Sequence, residues 1–267
     1  MERKMPPPPQ KDVRITPLAE GIVELSVPPV GFITYLVLGT DRAALIDTGM
    51  GVGSLKQYVK QATDLPVFVI NTHGHPDHCG GNAEFDETWI NPADHDVFEK
   101  MASLEFRTDD ISRMPGGAEL AAGLQPTAPP PAPLTDGQTF DLGGRILKII
   151  FAPGHTHGSL SVYDEKTGTL FTGDNAMTRV SLHEWNSATL SEYRDTLKKL
   201  IALKPAKIMG GHRPNVNEPE LLEKLLRCAE RALSGEKGEL RQMRGGIESW
   251  VLEEDGVSFD YTEEHLR

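Results

Sequence analysis

Cysteine is nearly absent from the 267 residues, with Cys79 and Cys228 the only two, so no disulfide framework holds the fold. Long apolar runs are missing as well. The longest, Phe32–Leu38, is far too short to cross a bilayer. The opening MERKMPPPPQ has no apolar stretch of the kind that marks a secretory signal, so the expected compartment is the cytoplasm. Positive charge is scarce: Lys and Arg total 27 against 39 Asp and Glu, a formal net charge of −12. A polyanion would be repelled overall, which argues against nucleic acid as a partner. The expected partner is a small-molecule substrate, with no membrane and with homo-oligomerisation left open.

What remains is globular in composition, 38% hydrophobic and 25% charged. Residues 1–11, with Pro6 to Pro9 in succession, read as a proline-rich tail, and 12–267 as a single domain. Short β-rich runs fall at 21–26, 32–38, 43–47, 67–71, 145–151, 160–163, 169–171 and 207–209. Helical patterns lie between and after them at 55–62, with Ser54 as N-cap, and at 191–203 and 218–233. Such a mixture predicts sheets covered by helices. Residues 91–136 interrupt it. They begin with a helix over 94–101 and end in QPTAPPPAPLTDG, which is neither helix nor central strand, so they read as an insertion serving as a lid or cleft wall. The chain closes, over 216–267, with a helix and a hairpin turning at Glu254-Asp255-Gly256.

The strongest chemical signal is NTHGHPDHCGG at 71–81, directly after the apolar run at 67–70. It gathers His73, His75, Asp77 and His78 on a Gly- and Pro-bearing turn. Imidazole nitrogen and carboxylate oxygen are the donors that zinc and similar cations take. Further donors each follow a strand: His155 in APGHTHGS, Asp174 in TGDN and His212 in GGH. Loops at strand ends are where a scaffold displays functional groups.

In this order, with Ile46-Asp47-Thr48-Gly49 upstream, these residues resemble the metallo-β-lactamase superfamily over about 13–215. The resemblance implies an α+β fold, a four-layer αββα sandwich with a two-metal site in the cleft between the sheet edges. His73, His75 and His155 would hold one metal, and Asp77, His78 and His212 the second. Asp174 would bridge both, and Asp47 would orient a ligand imidazole. Members that destroy β-lactams typically lack the bridging aspartate, so Asp174 points to the branch resembling glyoxalase II, lactonases and phosphodiesterases. Cys79 occupies no ligand position and reads as a small buried residue.

The activity so implied is metal-dependent hydrolysis of an ester, thioester or lactone. A hydroxide bridging two divalent ions would be the nucleophile, and Asp77 and Asp174 the catalytic carboxylates. Zinc is the expected metal, with iron or manganese as substitutes. The alternatives are a mononuclear iron sulfur dioxygenase of the same fold using His73, His155 and Asp174, a phosphodiesterase, and a non-catalytic metal-binding module. Tyr35, Arg179, His183 and Trp185 are the candidates for substrate contact, and His157 for a supporting role beside His155.

Overall fold

The computed structural model describes residues 12–27, 32–243 and 246–266, so the proline-rich tail over 1–11 lies outside the described residues. Seven strands form one sheet in the order Arg14–Ala19, Ile22–Val27, Phe32–Leu38, Ala43–Ile46, Val67–Ile70, Thr88–Ile90 and Ala132–Pro133. Six form a second, in the order Val216–Asn217, Lys207–Gly210, Thr169–Gly173, Leu160–Asp164, Ile146–Phe151 and Thr139–Asp141.

Alternation along each strand decides what lies between the sheets. Ile33, Tyr35 and Val37 face inward with Ala44, Ile46, Phe68 and Ile70. They meet Phe140, Leu147, Ile149, Val162 and Phe171 from the second sheet. The opposite face of the first sheet, through Leu25, Leu36, Leu45 and Val69, packs on Leu55 and Val59 of the helix Leu55–Ala62. Ser54 caps that helix by accepting from Gln57 N. The outer face of the second sheet, through Ile150, Leu170 and Ile208, packs on the helices Leu190–Ala202 and Glu220–Leu233. The layers therefore run helix, sheet, sheet, helix, as the resemblance implied.

Two differences from the sequence reading bear on the site. Residues 91–136 are more regular than their composition suggests. Besides the helix His95–Met101 they hold the helices Leu104–Ser112 and Gly117–Ala121, and their proline-rich return supplies an edge strand, Ala132–Pro133. The C-terminal hairpin, Glu248–Glu254 with Val257–Tyr261, also does not stand alone. It joins Glu239–Gln242 and, in parallel, Arg179–Leu182 in a third sheet. That last strand follows Asp174 directly, so the end of the chain supports the rim of the cleft. No helix among the described residues is long and apolar enough to cross a membrane.

Candidate metal centre

The strands Val67–Ile70, Ile146–Phe151, Thr169–Gly173 and Lys207–Gly210 end beside one another, and each runs into a loop carrying donors. An isolated backbone bridge between Phe32 and His212 joins the two sheets at this end, and Leu160 N donates to Thr72 O. His73, His75, Asp77 and His78 come from the turn after Val67–Ile70, where Pro76 starts the one-turn helix Pro76–Cys79. His155, Asp174 and His212 arrive from the second sheet. All seven meet in three overlapping groups: His73, His75 and His155; His73, His78 and Asp174; Asp77, His78 and His212. Within each group the donor atoms lie within 4.8 Å of one another.

Three of the nitrogens facing away from the cluster are held by oxygen. His78 Nδ1 lies 2.8 Å from Asp47 Oδ2, His155 Nδ1 2.8 Å from Ser181 O, and His73 Nδ1 3.1 Å from Thr72 Oγ1. Asp47 also accepts from Thr72 N and Thr72 Oγ1, at 2.7 and 2.8 Å. To do so it sits at φ 63, a left-handed conformation that costs a non-glycine residue about 1–3 kcal/mol. On the inner side, His73 Nε2, His78 Nε2 and Asp174 Oδ1 are buried without a hydrogen bond. Buried polar atoms left this way are costly, and these three belong to one donor group. They are the donors a divalent cation would satisfy, so the residues present fit the group the fold implies.

Electrostatics divides the imidazoles: the carboxylates hold His78 and His212 above the ordinary value, while His73 and His75 fall below it. Burial pushes Asp77 and Asp174 up, but His78 and His212 outweigh it and hold both carboxyls well below the usual carboxylate range. Burial works against charge on His78, yet Asp77, Asp174 and Asp47 push it up to about 9. His75 is brought down to about 4 by burial and by His155. His73 is held well below the ordinary imidazole value, chiefly by burial and by His78. The carboxylates stay ionised at neutral pH while His73 and His75 offer lone pairs, as ligation requires.

A model of the metallo-beta-lactamase superfamily matches residues 31–212. The chain belongs to that superfamily. Human acyl-coenzyme A thioesterase MBLAC2 is 30% identical over 200 residues, covering 67% of this chain and 71% of that protein. A hydroxyacylglutathione hydrolase from Synechococcus sp. is 31% identical over 136 residues, 51% of this chain and 44% of the relative. In fold, the chain is similar to a metallo-beta-lactamase superfamily protein from Sulfolobus tokodaii, with TM-score 0.59, 23% identity and coverage of 85% and 91%.

The cluster forms part of the floor of a cleft of about 430 Å³. Its apolar wall comprises Phe32, Met50, Met101, Phe106 and Met114, with Ile247 at the rim. Of the expected substrate contacts, Tyr35 is turned away from this cleft. Tyr35 lies between the sheets, 2% exposed, where its hydroxyl donates to Gly210 O and accepts from Asn215 Nδ2. Arg179, His183 and Trp185 are not among the lining residues. His183 is buried against Asp260, and Arg179 lies 3.8 Å from that carboxylate. Trp185 is 58% exposed beneath Lys100 Nζ. His157 is exposed. Cys79 is buried as expected and donates to His73 O.

Sequence reasoning missed several residues that hold the loops in place. Asp94 accepts from Gly74 N, Gly158 N and Thr156 Oγ1, joining the two histidine loops. Asn175 Oδ1 accepts from His155 N at 2.7 Å. Arg107, fully buried, donates to the carbonyls of Ala102, Met50, Gly80, Gln125 and Pro126. The adjacency of Asn175 to Asp174 was the one visible signal. For Asp94 and Arg107 there was none, because their partners are mainly backbone groups of distant segments.

Proposed function

We propose that this chain is a metal-dependent hydrolase of acyl esters and thioesters, with lactones as the cyclic form of the same bond. The observation that carries the reading is the convergence of seven donor residues beside an apolar cleft wall. His73, His75 and His155 would hold one divalent cation, and Asp77, His78 and His212 the other. Asp174 reaches both sets: Oδ1 lies 3.4 Å from His78 Nε2, and Oδ2 lies 3.8 and 3.2 Å from His155 Nε2 and His212 Nε2. Zinc is the expected metal, since imidazole and carboxylate donors suit it. Bound cations of this kind lower the pKa of coordinated water towards neutrality and polarise the carbonyl under attack.

The chain's own residues do the rest. Asp47, Thr72 and Ser181 fix the direction of three imidazoles, so the donors need not reorganise. Asp77 and Asp174 both line the cleft, and on this reading they are the catalytic carboxylates, with Asp77 taking up a proton from the reacting water. Phe32, Met50, Met101, Phe106 and Met114 exclude water from the acyl side, and methionine adapts to chains of different shape. Met101, Phe106 and Met114 come from residues 91–136, which makes that segment a cleft wall. The name of the human relative, an acyl-coenzyme A thioesterase, fits such a substrate.

The test is a panel of acyl thioesters, chromogenic esters, lactones and phosphodiesters offered to the zinc-loaded protein. Turnover of acyl thioesters or esters above the others is expected. Turnover confined to phosphodiesters would overturn the reading.

A further inference from the structure

Three of the imidazoles find an oxygen for their outer nitrogen, but His75 does not. Its Nδ1 lies 3.0 Å from His155 Nε2, and its Nε2 lies 3.2 Å from Asn186 Nδ2. The proton positions follow from the fixed end of this row. A carbonyl only accepts, so Ser181 O sets the proton of His155 on Nδ1 and leaves Nε2 as an acceptor. His75 therefore donates from Nδ1, and its Nε2 accepts from the Asn186 amide. The hydrogen bonds run one way, from Asn186 through His75 and His155 to Ser181. Asn186 Oδ1, at the other end of the amide, is buried and has no hydrogen-bond partner.

Ligation needs the opposite proton arrangement on His75. Nδ1, the nitrogen turned towards His155, must give its lone pair to the cation, so the proton has to sit on Nε2. An Nε2–H would then face the Asn186 NH2, donor against donor. A half-turn of the carboxamide about its last side-chain bond places an oxygen where the nitrogen was. The same turn gives Oδ1 the partner it lacks. The backbone around it is pinned: Asn186 O accepts from His157 N at 2.8 Å, and Ser187 Oγ donates to His155 O at 2.9 Å.

We propose that Asn186 is a positioning residue whose amide turns over as His75 moves its proton from Nδ1 to Nε2, holding His75 in the ligating tautomer. This rests on the reading of His75 as a metal ligand, and the experiment separates the two ideas.

Zinc affinity of the full chain is measured by competition with a chelator of known affinity, for wild type, Asn186→Asp, Asn186→Leu and His75→Ala. The His75 tautomer is read by 15N NMR of histidine-labelled protein, stripped and zinc-loaded. His75 is expected as Nδ1–H when stripped and Nε2–H when loaded. Asn186→Leu, with no acceptor, should weaken zinc binding about 10- to 100-fold. Asn186→Asp, an acceptor only, should bind at least as tightly as wild type. Equal losses in the two Asn186 variants, or one unchanging tautomer, would overturn the proposal. Unchanged affinity in His75→Ala would instead sink the ligand reading beneath it. Should Asn186→Leu fail to fold, the wild-type tautomers and Asn186→Asp decide.

Discussion

Replacing Asp94 by asparagine tests how the two histidine loops are held in register. Asp94 is fully buried; its Oδ2 accepts from Gly74 N at 2.8 Å and Thr156 Oγ1 at 2.7 Å, and its Oδ1 from Gly158 N at 2.8 Å. Gly74 lies between His73 and His75, while Thr156 and Gly158 follow His155, so one carboxylate ties both loops. The approach is close enough to require glycine. A Cβ on Gly158 would fall on the Asp94 carboxyl, and one on Gly74 would lie 2.9 Å from Asp94 O and Phe98 N. Asparagine keeps the shape but turns one acceptor into a donor. Whichever way the amide faces, Gly74 N or Gly158 N loses its partner and meets another N–H. Thr156 Oγ1 still has Ser159 Oγ at 2.9 Å. One buried amide left unsatisfied costs about 1–3 kcal/mol, and the remaining bonds lose their charge assistance, for a total of about 2–4 kcal/mol. Urea unfolding of Asp94→Asn against wild type, both stripped of metal, measures this directly. Zinc affinity should fall about tenfold or more as the loops lose register. Stability within about 0.5 kcal/mol of wild type, together with unchanged zinc affinity, would refute the reasoning.

Arg107→Met strands five carbonyls and should cost more than about 3 kcal/mol in urea unfolding, with Arg107→Lys intermediate because it offers fewer N–H groups. Phe106→Ser and Met114→Ser remove apolar wall. The rise in kcat/KM with acyl length, about fourfold per buried methylene in wild type, should flatten in both, and equal slopes would contradict a wall role. Burial works against charge on His183, but Asp260 and Glu184 overcome it and push it up to about 9. Its stabilising contribution is therefore complete below the ordinary imidazole value of about 6.5 and is lost as pH rises through 9. Thermal melts of wild type and His183→Gln should accordingly converge between pH 6 and 9.5, and a constant gap would count against the ion pair.

Much of the fold and most of the candidate site were legible because both rest on short-range pattern. Alternating apolar residues marked the central strands, and the donors stand at the ends of those strands beside glycines. Tyr35 was misplaced for want of applying that same alternation: it shares a face with Ile33 and Val37, so it belongs between the sheets. The helix Leu104–Ser112 escaped because its inward face is built on Arg107, whose partners are backbone carbonyls, and no apolar period appears. Asp94 read as an ordinary residue at a helix start. Asn186 carried no signal, since its partner lies 111 positions away. The third sheet was missed for a similar reason: Arg179–Leu182 is four residues long and its partner strand, Val257–Tyr261, lies near the end of the chain.

The most direct test of the account is metal stoichiometry coupled to turnover. Elemental analysis of the purified full chain should find about two zinc-type ions per molecule. Chelation should remove them together with hydrolysis of an acyl thioester, and adding zinc back should restore both. Undiminished hydrolysis by a protein shown to be free of metal would contradict the account at its centre.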